Sequence, residues 1–229
     1  MALTPLNSDV VVIGAGTSGL SAAKSLKDIG YSVIVIEAAN HIGGRCVTDN
    51  SIFDIPFDIG GSWLHSAVTN PLAEIAVQNN FKLHKKNWSH TWVHSNGVNL
   101  SSKQTKEYSQ YIEDMWQNIN KAGKNKKDQS IEKSLPEAKW RDIARNQIAP
   151  MMGADPDVCS AHDVFHFTNT EGDWLVENGL GAFIKYLYKD IEVITNCAAK
   201  KIDYSSSGVK VETPDGVISA TYAVLTVST

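Results

Sequence analysis

Arginine is scarce in this 229-residue chain: 3 of its 21 basic residues are Arg (Arg45, Arg141, Arg145), and the rest are Lys. Cysteine is equally sparse. Cys46, Cys159 and Cys197 are odd in number and far apart, which excludes a disulfide framework and predicts reduced thiols in a cytoplasmic protein. There is no excess of positive charge. The net charge is −4, which speaks against a nucleic-acid partner. No apolar run approaches the ~20 residues of a membrane span. The start, Met1-Ala2-Leu3-Thr4-Pro5, lacks the basic region and apolar core of a signal peptide. No Gly-x-Ser-x-Gly elbow supports a hydrolase triad, and no internal repeat is visible. What is present is an ordinary globular composition, 42% hydrophobic and 20% charged. At ~100–200 residues per domain it fits one large domain or two small ones.

The first ordered segment reads as strand, glycine loop, helix, strand. Asp9 to Ile13 is a continuous apolar run, as expected of a strand buried on both faces. Gly14-Ala15-Gly16-Thr17-Ser18-Gly19 follows it. A helix is predicted next, with Gly30 closing it, and then a β-branched strand from Tyr31 to Ile36 that ends at Glu37. This is a βαβ unit with a right-handed crossover. Two extended pieces are expected around Ile52–Phe53 and Phe57–Ile59. Asn70-Pro71 reads as an N-cap and first helical residue.

Past residue 80 the pattern becomes mainly helical. A hairpin is expected from Thr91 to Leu100 around Ser95-Asn96-Gly97, and helices over 103–122 and 137–148, with a solvated Lys-rich loop at 121–128. His162 and His166 have the i,i+4 spacing of a zinc pair, but no Cys or Glu pattern accompanies them, and no metal is expected. Trp88, Trp92, Trp116 and Trp140 read as core or cavity lining, and His90 and His94 as solvent-facing. A helix at 180–189 is followed by short strands at 191–194, 200–203, 209–212 and 217–219, with a last apolar run at 223–227. The chain is therefore expected to be α/β: a Rossmann-like dinucleotide-binding domain (1–80 and 175–229), with a parallel sheet and β-meander, interrupted by a mainly helical α+β insert (81–174).

Gly14-x-Gly16-x-x-Gly19 has a reason behind each glycine. The first permits a tight turn, the second lets backbone approach a pyrophosphate, and the third allows close helix–strand packing. Thr17 and Ser18 open the helix, whose N-terminal amides favour phosphate. Glu37 stands where an acid can accept from both ribose hydroxyls, which disfavours a 2′-phosphate. Just beyond Ala38, Gly43 and Gly44 permit close backbone approach, and Arg45, one of only three arginines, suits charge-assisted bonds to phosphate.

These residues resemble the FAD-dependent amine oxidases: monoamine oxidases, polyamine oxidases and flavin-containing histone demethylases. The resemblance begins at Val11–Leu20 and continues through Val35–Ala38 and Ile42-Gly43-Gly44-Arg45-x-x-Thr48. It then takes in Asp58–His65 in a polyamine-oxidase-like form, Asp173–Gly181, and Ala199–Asp203. It implies that Gly14, Gly16 and Gly19 cradle the pyrophosphate, Glu37 holds the ribose, and Gly44 and Arg45 lie along the phosphates of a non-covalent FAD. It also implies that Gly60, Gly61, Ser62 and Trp63 pass near the flavin ring, and that Ala199 contacts adenine through its backbone. His65 is the candidate that moves a proton or holds the amine; a structural histidine is the alternative.

The implied activity is oxidation of an amine C–N bond by hydride transfer to flavin, with O2 as reoxidant giving H2O2. Polyamine, monoamine, amino acid and protein methyl-lysine all remain open as the amine, and so does the oligomeric state. The resemblance also implies that a family member runs on past residue 229 into a lysine and a Gly-Glu segment near the flavin. Two other readings therefore stand beside the oxidase: a catalytically incomplete FAD- or nucleotide-binding module, and a desaturase-like flavoprotein of the same superfamily.

Overall fold

The computed structural model describes residues 6–85, 94–95, 97–167, 170–205 and 207–228. The chain folds as two compact units, one made of residues 1–86 with 170–229 and the other of residues 87–169.

The first unit is built on a six-stranded sheet. β1 (Leu6–Ile13), β2 (Val33–Ile36), β10 (Val193–Ile194) and β13 (Gly216–Leu225) run parallel. β11 (Lys201–Asp203) and β12 (Val209–Thr213) add an antiparallel meander, giving the order β10-β2-β1-β13-β12-β11. The second half of β1, Val10–Ile13, is apolar without alternation because both of its faces are covered. Val10 and Val12 join one core with Leu20, Ala23 and Phe183, while Val11 and Ile13 join the other with Cys197, Val211 and Ile218. Helix α1 (Thr17–Asp28) is the crossover between β1 and β2. It ends shortly before Gly30, whose φ of 95° fits the left-handed turn that closes helices.

Two expectations are corrected here. Residues 217–219 and 223–227 are not separate strands. The stretch has no Gly or Pro to break it after Gly216, so β13 runs ten residues, pairing with β12 at its start and with β1 along most of its length. The extended pieces near residue 50 are β3 (Thr48–Asp49) and β4 (Phe57–Asp58), paired antiparallel, while Ile52–Phe53 form the bend between them.

A second, three-stranded sheet is formed by β5 (Trp63–Leu64), β6 (Leu83–His84) and β9 (Trp174–Val176), in the order β5-β9-β6. β6 lies past residue 80 in sequence, yet its ladder to β9 ties it to the first unit. Helix α2 (Pro71–Gln78) starts at Asn70, whose side chain accepts from Leu72 N. Helix α6 (Leu180–Leu187) is capped from outside its own chain segment. Asp58 accepts from Leu180 N and Gly181 N, and Thr48 Oγ1 accepts from Ala182 N while donating to Asp58.

The second unit centres on helix α3 (Ser102–Gly123), which opens with a capping box between Ser101 and Gln104. Its Tyr108, Tyr111, Met115 and Ile119 pack on Ile131, Leu135, Trp140, Ala144 and Ile148, the last two from α4 (Arg141–Met152). Glu132 ties Arg141 and Arg145 together at 2.8 and 2.9 Å. In α5 (Ala161–His166), the Asn125 carbonyl accepts from His162 Nε2, and the His162 carbonyl accepts from His166 Nδ1. β7 (His94–Ser95) and β8 (Val98–Asn99) form the hairpin. Trp88, His90 and Trp92, with the start of that expected hairpin, lie outside the described residues, as does the His94 side chain. Among the described residues, no helix is long and apolar enough to cross a membrane.

Candidate functional site

The three glycines of the first loop do different things. Gly14 leaves β1 with φ 103°, and a Cβ there would lie 2.9 Å from Thr226 Oγ1. Gly19, in the first turn of α1, has no room at all, because its Cβ would fall 2.0 Å from the Gly14 carbonyl oxygen. Gly16 faces the second glycine loop: it bridges to Gly43, and a Cβ on Gly44 would sit 3.1 Å from Gly16 Cα. Gly43 N donates to Ala15 O at 2.8 Å, which fastens the two loops together. Gly43 and Gly44 both have positive φ, which glycine adopts at little cost.

The helix start is left open. Gly16 offers no side-chain cap, and the first turn of α1 carries no acid. Among the described residues, the amides of Thr17, Ser18 and Gly19 find no protein acceptor. Unsatisfied N–H groups at a helix start, with the partial positive charge of the helix end, make a ready anion site.

Glu37 sits at the end of β2, and its carboxylate is fixed from two sides. Ala15 N donates to Oε2 at 2.7 Å and Ala39 N to Oε1 at 2.8 Å. A carboxylate has about four lone-pair positions, so each oxygen keeps capacity for one more donor. The acid is thus pre-oriented rather than waiting for a ligand to order it.

These elements converge on one cavity of about 670 Å³. Gly14, Gly16, Thr17, Ser18, Glu37, Ala38, Gly43, Gly44, Arg45 and Ala199 all line it. Gly19 does not, and its role is the close packing of α1 on the loop. Gly60, Gly61, Ser62, Trp63 and His65 also lie off this wall, on the segment next to it. Gly61 N donates to Arg45 O, and a Gly60 Cβ would stand 2.1 Å from that same oxygen. Ser62 hydroxyl donates to Gly60 O. The Gly60–Gly61 turn therefore buttresses Arg45 directly. Trp63 continues into β5, and His65 follows it with Nδ1 2.8 Å from Asp173.

Arg45 differs from the other two arginines. Arg141 and Arg145 are engaged by Glu132, whereas the exposed Arg45 guanidinium takes no carboxylate among the described residues.

Three further residues on this wall carry no signal in the sequence. Thr226 Oγ1 lies 3.0 Å from both Ile13 O and Gly14 O, pinning the loop after β13 to the glycine turn. Cys46 lines the wall beside Arg45, with Thr17 Oγ1 3.9 Å from its sulfur. Cys197 lines the far side, and burial pushes its thiol up from the ordinary cysteine value while a Thr213 hydrogen bond pulls weakly the other way. The register of β13 on β1 brings Thr226 here, and no local pattern around residue 226 could have shown it.

A family model of flavin-containing amine oxidoreductases matches residues 17–229. Polyamine oxidase 4 of Oryza sativa is 27% identical over 247 aligned positions, covering 95% of this chain and 50% of that protein. Polyamine oxidase 2 of Arabidopsis thaliana is 49% identical over 67 residues, 29% of this chain and 14% of that one. Human lysine-specific histone demethylase 2 is 37% identical over 79 residues, 34% of this chain and 10% of its own. Among solved structures, putrescine oxidase with putrescine bound superposes with a TM-score of 0.70 at 21% identity, covering 98% of this chain and 59% of that one. The chain thus spans about half the length of the longer-matching relatives.

Proposed function

The chain belongs to the flavin-containing amine oxidoreductase family, and on that premise we propose that it is the FAD-anchoring portion of an oxidase acting on a small aliphatic amine of the polyamine kind. The observation that carries this reading is the meeting on one cavity of two glycine loops with helix amides and an arginine that, among the described residues, have no acceptor and no acidic partner. That donor set fits a dinucleotide pyrophosphate: close backbone approach, amide donors and one cation.

In this reading Gly14, Gly16, Thr17, Ser18, Gly43 and Gly44 hold the pyrophosphate of a non-covalent FAD, with Gly19 keeping α1 close behind the loop. Glu37 takes the adenosine ribose with the free lone pairs of its fixed carboxylate, Ala38 passes beside it, and Ala199 meets adenine through backbone. Arg45 neutralises phosphate charge. Gly60, Gly61, Ser62 and Trp63 lead from that arginine toward the flavin ring, and His65 holds the amine. Bound FAD would supply two-electron redox chemistry, with hydride transfer from the carbon next to the amine nitrogen and reoxidation by O2 to H2O2. The protein's contribution is binding, orientation and exclusion of water. Support for a polyamine-like substrate comes from the relatives, which include plant polyamine oxidases and putrescine oxidase.

The test is to purify the chain, add FAD and record the visible spectrum. Bound flavin bands are expected, and their absence overturns the cofactor reading. Arg45→Ala is expected to weaken FAD binding at least tenfold, since a hydrogen bond to a charged group is worth ~1.5–3 kcal/mol; the dissociation constant is read from flavin fluorescence. Anaerobic bleaching by spermidine or putrescine, but not by benzylamine, is the expected substrate pattern. The half-length span gives a second reading its footing: flavin uptake with no bleaching by any amine assigns the chain to an FAD-binding module without turnover.

A further inference from the structure

His65 and Asp173 meet because of strand register. β5 and β9 pair Trp63 with Leu175 and Leu64 with Trp174, so one step further sets His65 opposite Asp173. Beyond the pair the register shifts by one residue at Ser66, whose φ is 52°, and hydrogen bonds hold the shifted stretch. Ala67 N donates to Gly172 O, Val68 N donates to Glu171 O, and Asn70 Nδ2 donates to His65 O while its Oδ1 caps α2. Leu64 points into the core at 2% exposure, while Trp63 before it is half-buried and His65 after it is exposed.

The pair contributes little to stability. The His65 and Asp173 side chains are 72% and 42% exposed, and ion pairs that open to water are worth ~0–1 kcal/mol. What it does fix is chemistry. An ionised carboxylate only accepts hydrogen bonds, so the 2.8 Å contact at Nδ1 requires the proton on Nδ1. In the neutral ring, Nε2 is then a lone pair. Among the described residues, Nε2 has no partner of its own.

We propose that Asp173 is a positioning residue that locks His65 in its Nδ1–H form and so presents Nε2 as the acceptor for an N–H of the amine substrate. This deepens the function proposed above and rests on its placing of the Gly60–His65 segment beside the substrate. A free histidine side chain in water favours the opposite tautomer, with the proton on Nε2, so the carboxylate has a visible effect to exert.

The experiment is a long-range 15N–1H correlation spectrum of the histidine rings at alkaline pH, with the His65 signals assigned by their loss in His65→Gln. In the chain without FAD, His65 is expected as Nδ1–H. Asp173→Asn should shift it to Nε2–H, because the Asn amide donates to Nδ1, and Asp173→Glu should restore the original form. An Nε2–H ring in the parent chain, or a tautomer unchanged by Asp173→Asn in a folded variant, overturns the proposal. In the FAD-loaded chain, added spermidine should move the Nε2 resonance of the parent and leave that of Asp173→Asn in place. No movement in the parent overturns the substrate half. Failure to take up FAD is read separately from the visible spectrum, and it overturns the cofactor reading while leaving the tautomer result intact.

Discussion

Gly19 is the position where one added carbon has the clearest consequence. Its Cβ would lie 2.0 Å from a backbone oxygen of the glycine loop and 2.6 Å from Thr226 Oγ1. Neither is the free end of a flexible chain, because Thr226 Oγ1 is itself pinned to Ile13 O and Gly14 O. Gly19→Ala is therefore expected to cost ~1–3 kcal/mol, the usual range for forced overpacking, and to abolish FAD binding by displacing the loop. A lowered urea midpoint together with unquenched flavin fluorescence is the expected result. A variant with parental stability and affinity would show that the loop yields freely. Gly30→Ala is the contrast: its Cβ meets nothing within 4 Å and only the positive φ of 95° opposes it, so a smaller loss with intact binding is expected.

Cys197 carries a pH prediction at the same scale. Burial raises its thiol above the unfolded value, which is ~8.5. A raised folded-state value means that the folded protein holds the proton more tightly. The associated stability is fully present below about pH 8.5 and is lost as pH rises toward and through the higher folded value. Cys159, raised mainly by burial and then by Asp155 and Asp157, acts in the same direction. The urea midpoint should fall above about pH 8.5, and Cys197→Ala should lessen that fall. An unchanged slope in the variant would remove Cys197 from the account.

Among the elements, α6 shows how a helix can depend on residues more than a hundred positions away. Its first amides are satisfied by Asp58 and Thr48, across 122 and 134 residues of sequence. Loss of an N-cap acceptor costs ~0.5–2 kcal/mol, and Asp58→Ala removes the acceptor of two amides along with the Thr48 hydroxyl's partner. A loss near the upper end of that range is expected in urea denaturation, with Thr48→Val smaller and the double variant less than additive because the two share one network. Full additivity would mean that the two caps act independently. The same case shows where sequence reading stops. The strand, the three glycines and Glu37 lie within thirty residues and have fixed spacing, so their chemistry can be read directly. The two-residue strands β3 and β4 have no period to detect, and Asp58 and Thr48 look like loop polar residues until the fold sets α6 beside them. In sequence β13 reads as two pieces, because polar Ser219, Thr221 and Tyr222 interrupt its apolar run. Only its pairing with two different partners makes it one strand.

At the scale of the whole molecule, among the described residues every one that lines the cavity falls in the unit made of 1–86 and 170–229, and none in 87–169. A ligand that binds only the folded site stabilises it by RT ln(1 + [L]/Kd), ~2.7 kcal/mol at a hundredfold excess over Kd. That stabilisation should be distributed unevenly along the chain. On adding FAD, amide hydrogen exchange is expected to slow most over 13–18, 36–46, 197–202 and 225–228, the four stretches that line the cavity. It should slow less in the rest of that unit, through its shared sheet, and least over 102–152, where α3 and α4 form a separate core. Protection is expected because exchange from a stable core tracks the free energy of opening, and FAD raises that energy only for openings that dismantle its site. Equal slowing in α3 would show that the two units open together, and slowing confined to α3 would move the ligand off the glycine loops altogether.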